Sequence, residues 1–224
     1  MKQKMSVVGL VLFLSLALLG CSQASSPEDF KFDSETGTIT GYSGTSKDLV
    51  IPSEIDGVKV TEIQGGVWNK EEQGWDKKPA FIEQGLTTVE LPDSVTKIGD
   101  GAFGSNELEE VEIPDSVVEI GDGAFFANQL EEVKLSDSVT KIGEEAFAFN
   151  NLEEVEIPDS LTEIRGYVFG YNNLTSVEIP DSVTKISGGA FYDNELEEVE
   201  LSDSLTEIGN FAFDDGVKLI GWED

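Results

Sequence analysis

The sequence contains no histidine, a single cysteine, and only 14 lysines and arginines against 45 aspartates and glutamates. Without histidine no Ser-His-Asp or Cys-His arrangement can be assembled, which removes the commonest nucleophilic chemistries. One cysteine, Cys21, makes an intrachain disulfide impossible. The formal net charge of −31 argues against nucleic acid and anionic headgroups as partners, because like charges repel and no basic patch exists to release counterions. No D-x-D-x-D-G calcium loop occurs, so neither a metal site nor a cofactor is expected. Paired carboxylates could serve glycoside hydrolysis, but carboxylates recur so regularly that no pair is singled out. The chain is read as a non-enzyme.

Long apolar runs are confined to the N-terminus. Met5 to Leu19, preceded by Lys2 and Lys4, reads as a secretory signal and is too short and lopsided for a secure membrane span. Leu18-Leu19-Gly20-Cys21 follows and resembles a bacterial lipobox, in which the cysteine is acylated and the bond before it is cut. An ordinary signal or an uncleaved anchor is the plainer alternative. Residues 1–20 are thus read as a lipoprotein signal peptide and 21–29 as the lipidated Cys21 with a serine-rich tether. More than one acyl chain gives stable anchoring, which places the mature chain outside the cell on a bacterial membrane, without spanning it.

What the chain has in abundance is one 22-residue phrase, written six times. Its leucine recurs at 86, 108, 130, 152, 174 and 196 and its phenylalanine at 103, 125, 147, 169, 191 and 213. A fixed period of this length around L-x-x-V-x-[IL] predicts a leucine-rich-repeat solenoid, made mainly of turns and short parallel strands lining a concave face. Six regular units occupy 86–216. Before them, 30–46 reads as an N-terminal cap with a hairpin in FKFDSETGTITGY, and 47–85 as a stretched first repeat with two insertions. Residues 217–224 read as a C-terminal cap, and a monomer is expected.

Within a unit, alternation turns Leu108, Val111 and Ile113 inward and Glu110 and Glu112 outward. Pro114-Asp115-Ser116 turns the chain, Val117 and Ile120 return to the core, and Ala124-Phe125 is expected to begin a helical or 3₁₀ turn. Asn106, Asn128, Asn150, Asn172 and Asn194 end that turn, and a buried column bonding to loop amides is expected. In the stretched repeat either Val67-Trp68 or Ala80-Phe81 could fill the Ala-Phe slot.

These units resemble the BspA-like, or Treponema-type, bacterial leucine-rich repeats. The stretch LTTVELPDSVTKIGDGAFGSN from Leu86 follows the pattern L-x-x-[VI]-x-[IL]-P-x-S-V-x-x-I-G-x-x-A-F-x-x-C, with Asn106 in the cysteine slot. The resemblance covers Lys47 to Phe213. It implies a surface protein, since members are typically displayed and several are implicated in adhesion, and it carries no catalytic motif to transfer.

Reading the units as columns separates their faces. Lys97, Glu119, Lys141, Glu163, Lys185 and Glu207 alternate in sign, which neutralises one face and points to a 44-residue duplication unit. The strand face stays acidic through Glu90, Glu110, Glu112, Glu132, Glu154, Glu156, Glu178, Glu198 and Glu200, with Lys134 as its one cation within the regular units. These glutamates are the candidate binding face for a basic protein, a cell-surface ligand or divalent cations. The competing account is a duplicated soluble consensus whose repulsion is screened by saline surroundings, as in a structural envelope protein. The second insertion, with Trp68 and Trp75, is the other candidate site, since loops that interrupt a repeat often carry binding. Alternatively its tryptophans cover the end of the core.

Overall fold

Each 22-residue unit folds as its alternation dictates. The strand Glu110–Glu112 is exposed, buried and exposed in turn, with Val111 inward between two glutamates, and Leu108 and Ile113 beside it are buried. The Pro114 turn, closed by the Val117 amide donating to the Pro114 carbonyl at 2.9 Å, leads to Glu119–Ile120, whose isoleucine is buried. Repetition of this path stacks the coils of a solenoid in the computed structural model, which describes residues 25–69, 71 and 74–222. Cys21 and the leader lie outside the described residues. Among those described, the only helix is a three-residue 3₁₀ segment, Pro27–Asp29. Neighbouring coils pair in parallel and in strict repeat register, Glu110 against Glu132 and Lys97 against Glu119.

The ends and insertions are built from hairpins. Phe30–Asp33 and Thr38–Tyr42 are antiparallel, and Thr38 and Ile39 continue in parallel onto Glu62 and Ile63, closing the first coil. The five extra residues at 54–58 fit because Glu54–Ile55 and Val58–Lys59 form a tight hairpin. Asp56 and Gly57 at its tip have φ of 52° and 77°, the left-handed pair that two-residue hairpins favour. The second insertion is a hairpin of Val67–Asn69 and Gly74–Lys77 with Trp68 opposite Trp75. Gln64 pins its base, donating its side-chain amide to the Lys78 carbonyl at 3.0 Å and accepting from the Ala80 amide at 3.1 Å. The chain therefore leaves and rejoins the coil at one point, and Ala80-Phe81 fills the Ala-Phe slot. Lys218–Ile220 adds a last parallel strand to Glu198–Glu200.

Two columns run through the core. Phe81, Phe103, Phe125, Phe147, Phe169, Phe191 and Phe213 stack with centroids 5.1 to 5.8 Å apart and ring planes within 19° of parallel. Such offset pairs are worth about 0.5–1.5 kcal/mol each beyond burial. Beside them the asparagines interlock the coils. Asn128 donates its side-chain amide to the carbonyls of Phe103 and Phe125, both at 3.0 Å, and accepts from the Leu108 amide at 3.2 Å. Asn106, Asn150 and Asn172 repeat this set. At the last coil Asp214 takes over, accepting from the amides of Asp193 and Asn194.

The structure departs from the sequence reading in two places. The Ala-Phe segment makes only a single turn, closed by the Gly104 amide donating to the Gly101 carbonyl at 3.0 Å, and does not continue as a helix. Instead each coil donates amides to the next, Gly101 to Asp122, Phe103 to Ala124 and Ser105 to Phe126, each at 2.8 Å. Residues with left-handed backbone at two slots in each of five coils reverse the chain, Gly101 and Ser105 in one and Gly123 and Ala127 in the next. A helix would turn those amides inward along its own axis and forfeit the coil-to-coil bonds.

The strand ladders, expected in every coil, are also interrupted. On the acidic face no strand is assigned at 154–156 or 176–178, and the second ladder stops at Lys141–Ile142 and restarts at Glu163–Ile164. Arg165 explains the second break. It occupies the slot of Gly99, Gly121, Gly143 and Gly209, where a Cβ would come within 2.2–2.3 Å of an atom of the preceding coil. Ser187 tolerates a side chain in that slot, and there the preceding coil carries Gly166. At Arg165 the preceding coil carries Glu144, and the coils part.

Two outcomes follow. Asn150→Ala leaves buried carbonyls and the Leu130 amide unpartnered and is expected to destabilise by about 2–4 kcal/mol in chemical unfolding. Arg165→Gly is expected to restore the ladder, raising stability by about 1 kcal/mol and slowing amide exchange at Thr162 and residue 165. Unchanged exchange there would refute the steric explanation.

Candidate functional site

The carboxylates of the strand face are held where the sequence places them. Glu110, Glu112, Glu132, Glu154, Glu156, Glu178, Glu198 and Glu200 are exposed, as is Glu90 at the N-terminal edge, each fixed outward by the buried valine or isoleucine next to it. Parallel pairing sets Glu110 directly against Glu132, a like-charge contact that costs stability. Two lysines relieve the face. Lys134 reaches Glu112 at 2.8 Å, and Lys218 reaches Glu198 at 2.6 Å. The Glu112 carboxylate holds the Lys134 ammonium above its ordinary pKa, by hydrogen bond and then by charge.

The neighbouring face is neutralised. Glu119 sits between Lys141 at 2.5 Å and Lys97 at 3.5 Å, and the Lys141 hydrogen bond holds its carboxyl below the ordinary value despite partial burial. Lys185 lies 3.7 Å from Glu163 and 3.4 Å from Glu207. The alternation fails where Lys141 would meet Glu163, at the break in the ladder. Among the described residues no group of three or more aspartates, glutamates or cysteines is placed to hold a metal ion.

The third side carries a feature that the sequence reading missed. Phe126, Phe149, Tyr171, Tyr192 and Phe211 form a chain of ring contacts with centroids 4.2 to 6.5 Å apart, and Tyr167 joins at Tyr171. This row lies on the outer surface, with Phe149 46%, Tyr167 39% and Phe211 66% exposed. Four of its members, Phe149, Tyr167, Tyr171 and Phe211, have φ between 52° and 58°. Left-handed backbone costs a non-glycine residue about 1–2 kcal/mol. In the slot of Tyr167 and Phe211 equivalent coils use Gly101, Gly123 and Gly189, whereas the slot of Phe149 and Tyr171 is left-handed in other coils with Glu83, Ser105, Ala127 and Asp193. The Tyr167 ring lies flat on Gly189, where a Cβ would come within 2.3 Å of it. Loss of hydration, then the neighbouring Tyr167, Tyr192, Asp193 and Glu145, raises the Tyr171 hydroxyl above its ordinary pKa. The signal was present as aromatic residues in slots that other units fill with small or acidic residues.

At its N-terminal end the row meets the insertion. Trp75 packs over Gly66 and reaches Gly101, so that Trp75 and Phe126 border a groove of about 300 Å³ with Asp100, Gly101, Asp122 and Gly123 in its lining. The backbone of Trp68 pairs with Trp75 in the hairpin, and it is Phe81 that enters the core. The insertion and the acidic strand face are therefore separate surfaces.

The repeat chemistry matches a family model, described as the BspA type leucine rich repeat region, over residues 77–196 and 162–220, with six copies. This chain belongs to the BspA-type leucine-rich-repeat family. No curated protein is similar in sequence. Among solved structures, the pneumococcal vaccine antigen PcpA is 21% identical with a TM-score of 0.55, aligning over 81% of this chain and 64% of its own. The leucine-rich repeat protein TpLRR of T. pallidum is 21% identical with a TM-score of 0.44, over 87% and 92% of the two chains. One from Bacteroides ovatus is 20% identical with a TM-score of 0.49, over 85% and 64%. The chain thus spans less than two thirds of the pneumococcal and Bacteroides chains.

Because the strand face is dominated by like charge, Glu178→Lys is expected to raise the unfolding midpoint by about 1–2 °C at low ionic strength. The gain is expected to disappear in molar salt, where the Debye length falls to about 3 Å; a gain independent of salt would count against charge repulsion.

Proposed function

We propose that this chain is an exported, lipid-anchored recognition module, tethered at Cys21 on the outer side of a bacterial membrane, adhesin-like and without catalytic activity. Its strand face takes a basic protein or a basic cell-surface ligand. The observation that supports this reading most is the contrast between faces. One is closed by alternating lysine and glutamate, while the other leaves its carboxylates exposed with two lysine pairs, at a cost to stability that the fold does not require. A field of one sign steers and orients an oppositely charged partner. Membership in a family of stacked repeats supports it too, since solenoids present extended surfaces, and a vaccine antigen of the same fold is consistent with display outside the cell.

Two measurements test the proposal. Cells grown with an alkyne palmitate analogue are expected to label the protein, and Cys21→Ala to abolish labelling; label retained by the variant would remove the anchor. Glu154→Lys, Glu156→Lys and Glu178→Lys combined are expected to weaken capture of a basic protein such as lysozyme at least tenfold at low salt, read by surface plasmon resonance. Capture unaffected by the triple reversal would remove the strand face as the site.

A further inference from the structure

The aromatic row is the least explained part of the molecule. Solitary exposed apolar residues are ordinary, but a contiguous patch is the mark of an interaction surface. Stability does not account for this one. Tyr167 and Phe211 occupy left-handed backbone in a slot where three other coils place glycine, so these two accept a strain that the fold does not require, and strain retained at a surface points to use.

The chemistry around the rings selects the partner. Asp100 and Asp122 lie in the groove bordered by Trp75 and Phe126. Each has one carboxylate oxygen engaged by a backbone amide of the next coil, from Asp122 and Glu144 respectively. Farther along, Glu145 and Asp193 act on Tyr171. Gly101 is buried beneath Trp75 and Pro79, whereas the half-buried Gly123 has only the Phe126 Cβ near it, so a ligand can approach the backbone at Gly123 beside the Phe126 ring. Ring faces attract cations, and a planar guanidinium both stacks on them and forks to carboxylates. The charge of −31 gives the same preference at long range.

We infer that this side is a second binding surface, on which an extended arginine-rich segment of a partner protein lies across the coils. One guanidinium sits between Trp75 and Phe126 against Asp100 and Asp122, and others stack along Phe149, Tyr171 and Tyr192. The inference rests on the chain being a recognition module, and is independent of the strand face. Tyrosine and tryptophan are the side chains that dominate such contacts.

The test uses the mature chain carrying Cys21→Ser and a fluorescein-labelled nona-arginine peptide, read by anisotropy at physiological salt. Nona-lysine and cellohexaose serve as comparison ligands. The expected result is binding at least fivefold tighter for nona-arginine than for nona-lysine. Phe149→Gly with Tyr171→Gly is expected to weaken it at least tenfold without lowering the melting temperature, because glycine suits both positions. Trp75→Ala is expected to weaken it as well. If the double glycine variant binds the peptide as the parent does while the strand-face reversal abolishes binding, the inference is overturned and the strand-face reading stands. Loss in the glycine and tryptophan variants, with affinity kept in the reversal, establishes the aromatic surface as the site of the arginine peptide, separate from the strand face. Equal affinity for the two peptides, or displacement of nona-arginine by cellohexaose, overturns the arginine assignment in favour of plain charge or of a glycan.

Discussion

Five successive coils are each fastened to the coil before by one asparagine side chain, and the rest of the molecule depends on that bond set. A solenoid without helices has many backbone carbonyls and amides facing inward on its turn side, where water cannot reach them. Asn106, Asn128, Asn150 and Asn172 satisfy them by donating to two phenylalanine carbonyls, one in their own coil and one in the coil before. Only an amide supplies two donors and an acceptor from one short side chain. With the carbonyls fixed, the phenylalanine rings fall into a stack, and with the stack fixed the turn-side amides can bond outward from coil to coil.

That arrangement was legible in the sequence because it recurs with the period. Leucine, asparagine and phenylalanine in constant slots state which side chains share a column, and columns are what a solenoid is made of. The surface was less legible. The glutamates of the strand face could be placed, since a buried valine between two polar residues fixes their direction. The aromatic row could not, because it is assembled from different slots. Phe126 and Tyr192 share one, Phe149 and Tyr171 another, Tyr167 and Phe211 a third. They converge only because two left-handed turns, four residues apart, fold those slots onto one side. The expected turn stops short of a helix for the same reason: local propensity said nothing about amides that bond to the neighbouring coil. The choice between Trp68 and Phe81 was likewise settled by a non-local clamp, the Gln64 side chain that brings both ends of the insertion together.

The three sides of the solenoid thus have different chemistry on one frame. One is neutral through paired lysine and glutamate, one acidic, and one aromatic with carboxylates at its edge. The core residues beneath them hardly vary, so the outer slots are free to diverge without disturbing the fold. This separation of frame and surface is why a chain only about one fifth identical to PcpA keeps its fold.

The gap at Arg165 divides the stack into unequal halves. Both strand ladders lapse near it, while Phe147 still stacks on Phe169 and Asn172 still reaches the Phe147 carbonyl at 3.0 Å. Away from the turn side only the Asn151 amide on the Leu130 carbonyl, at 2.9 Å, and the Ser160 hydroxyl on the Val139 carbonyl cross the junction, so the rod is expected to yield here first under tension. A protein held at one end and gripped at the other would bend there before it tore, opening like a book along its asparagine spine.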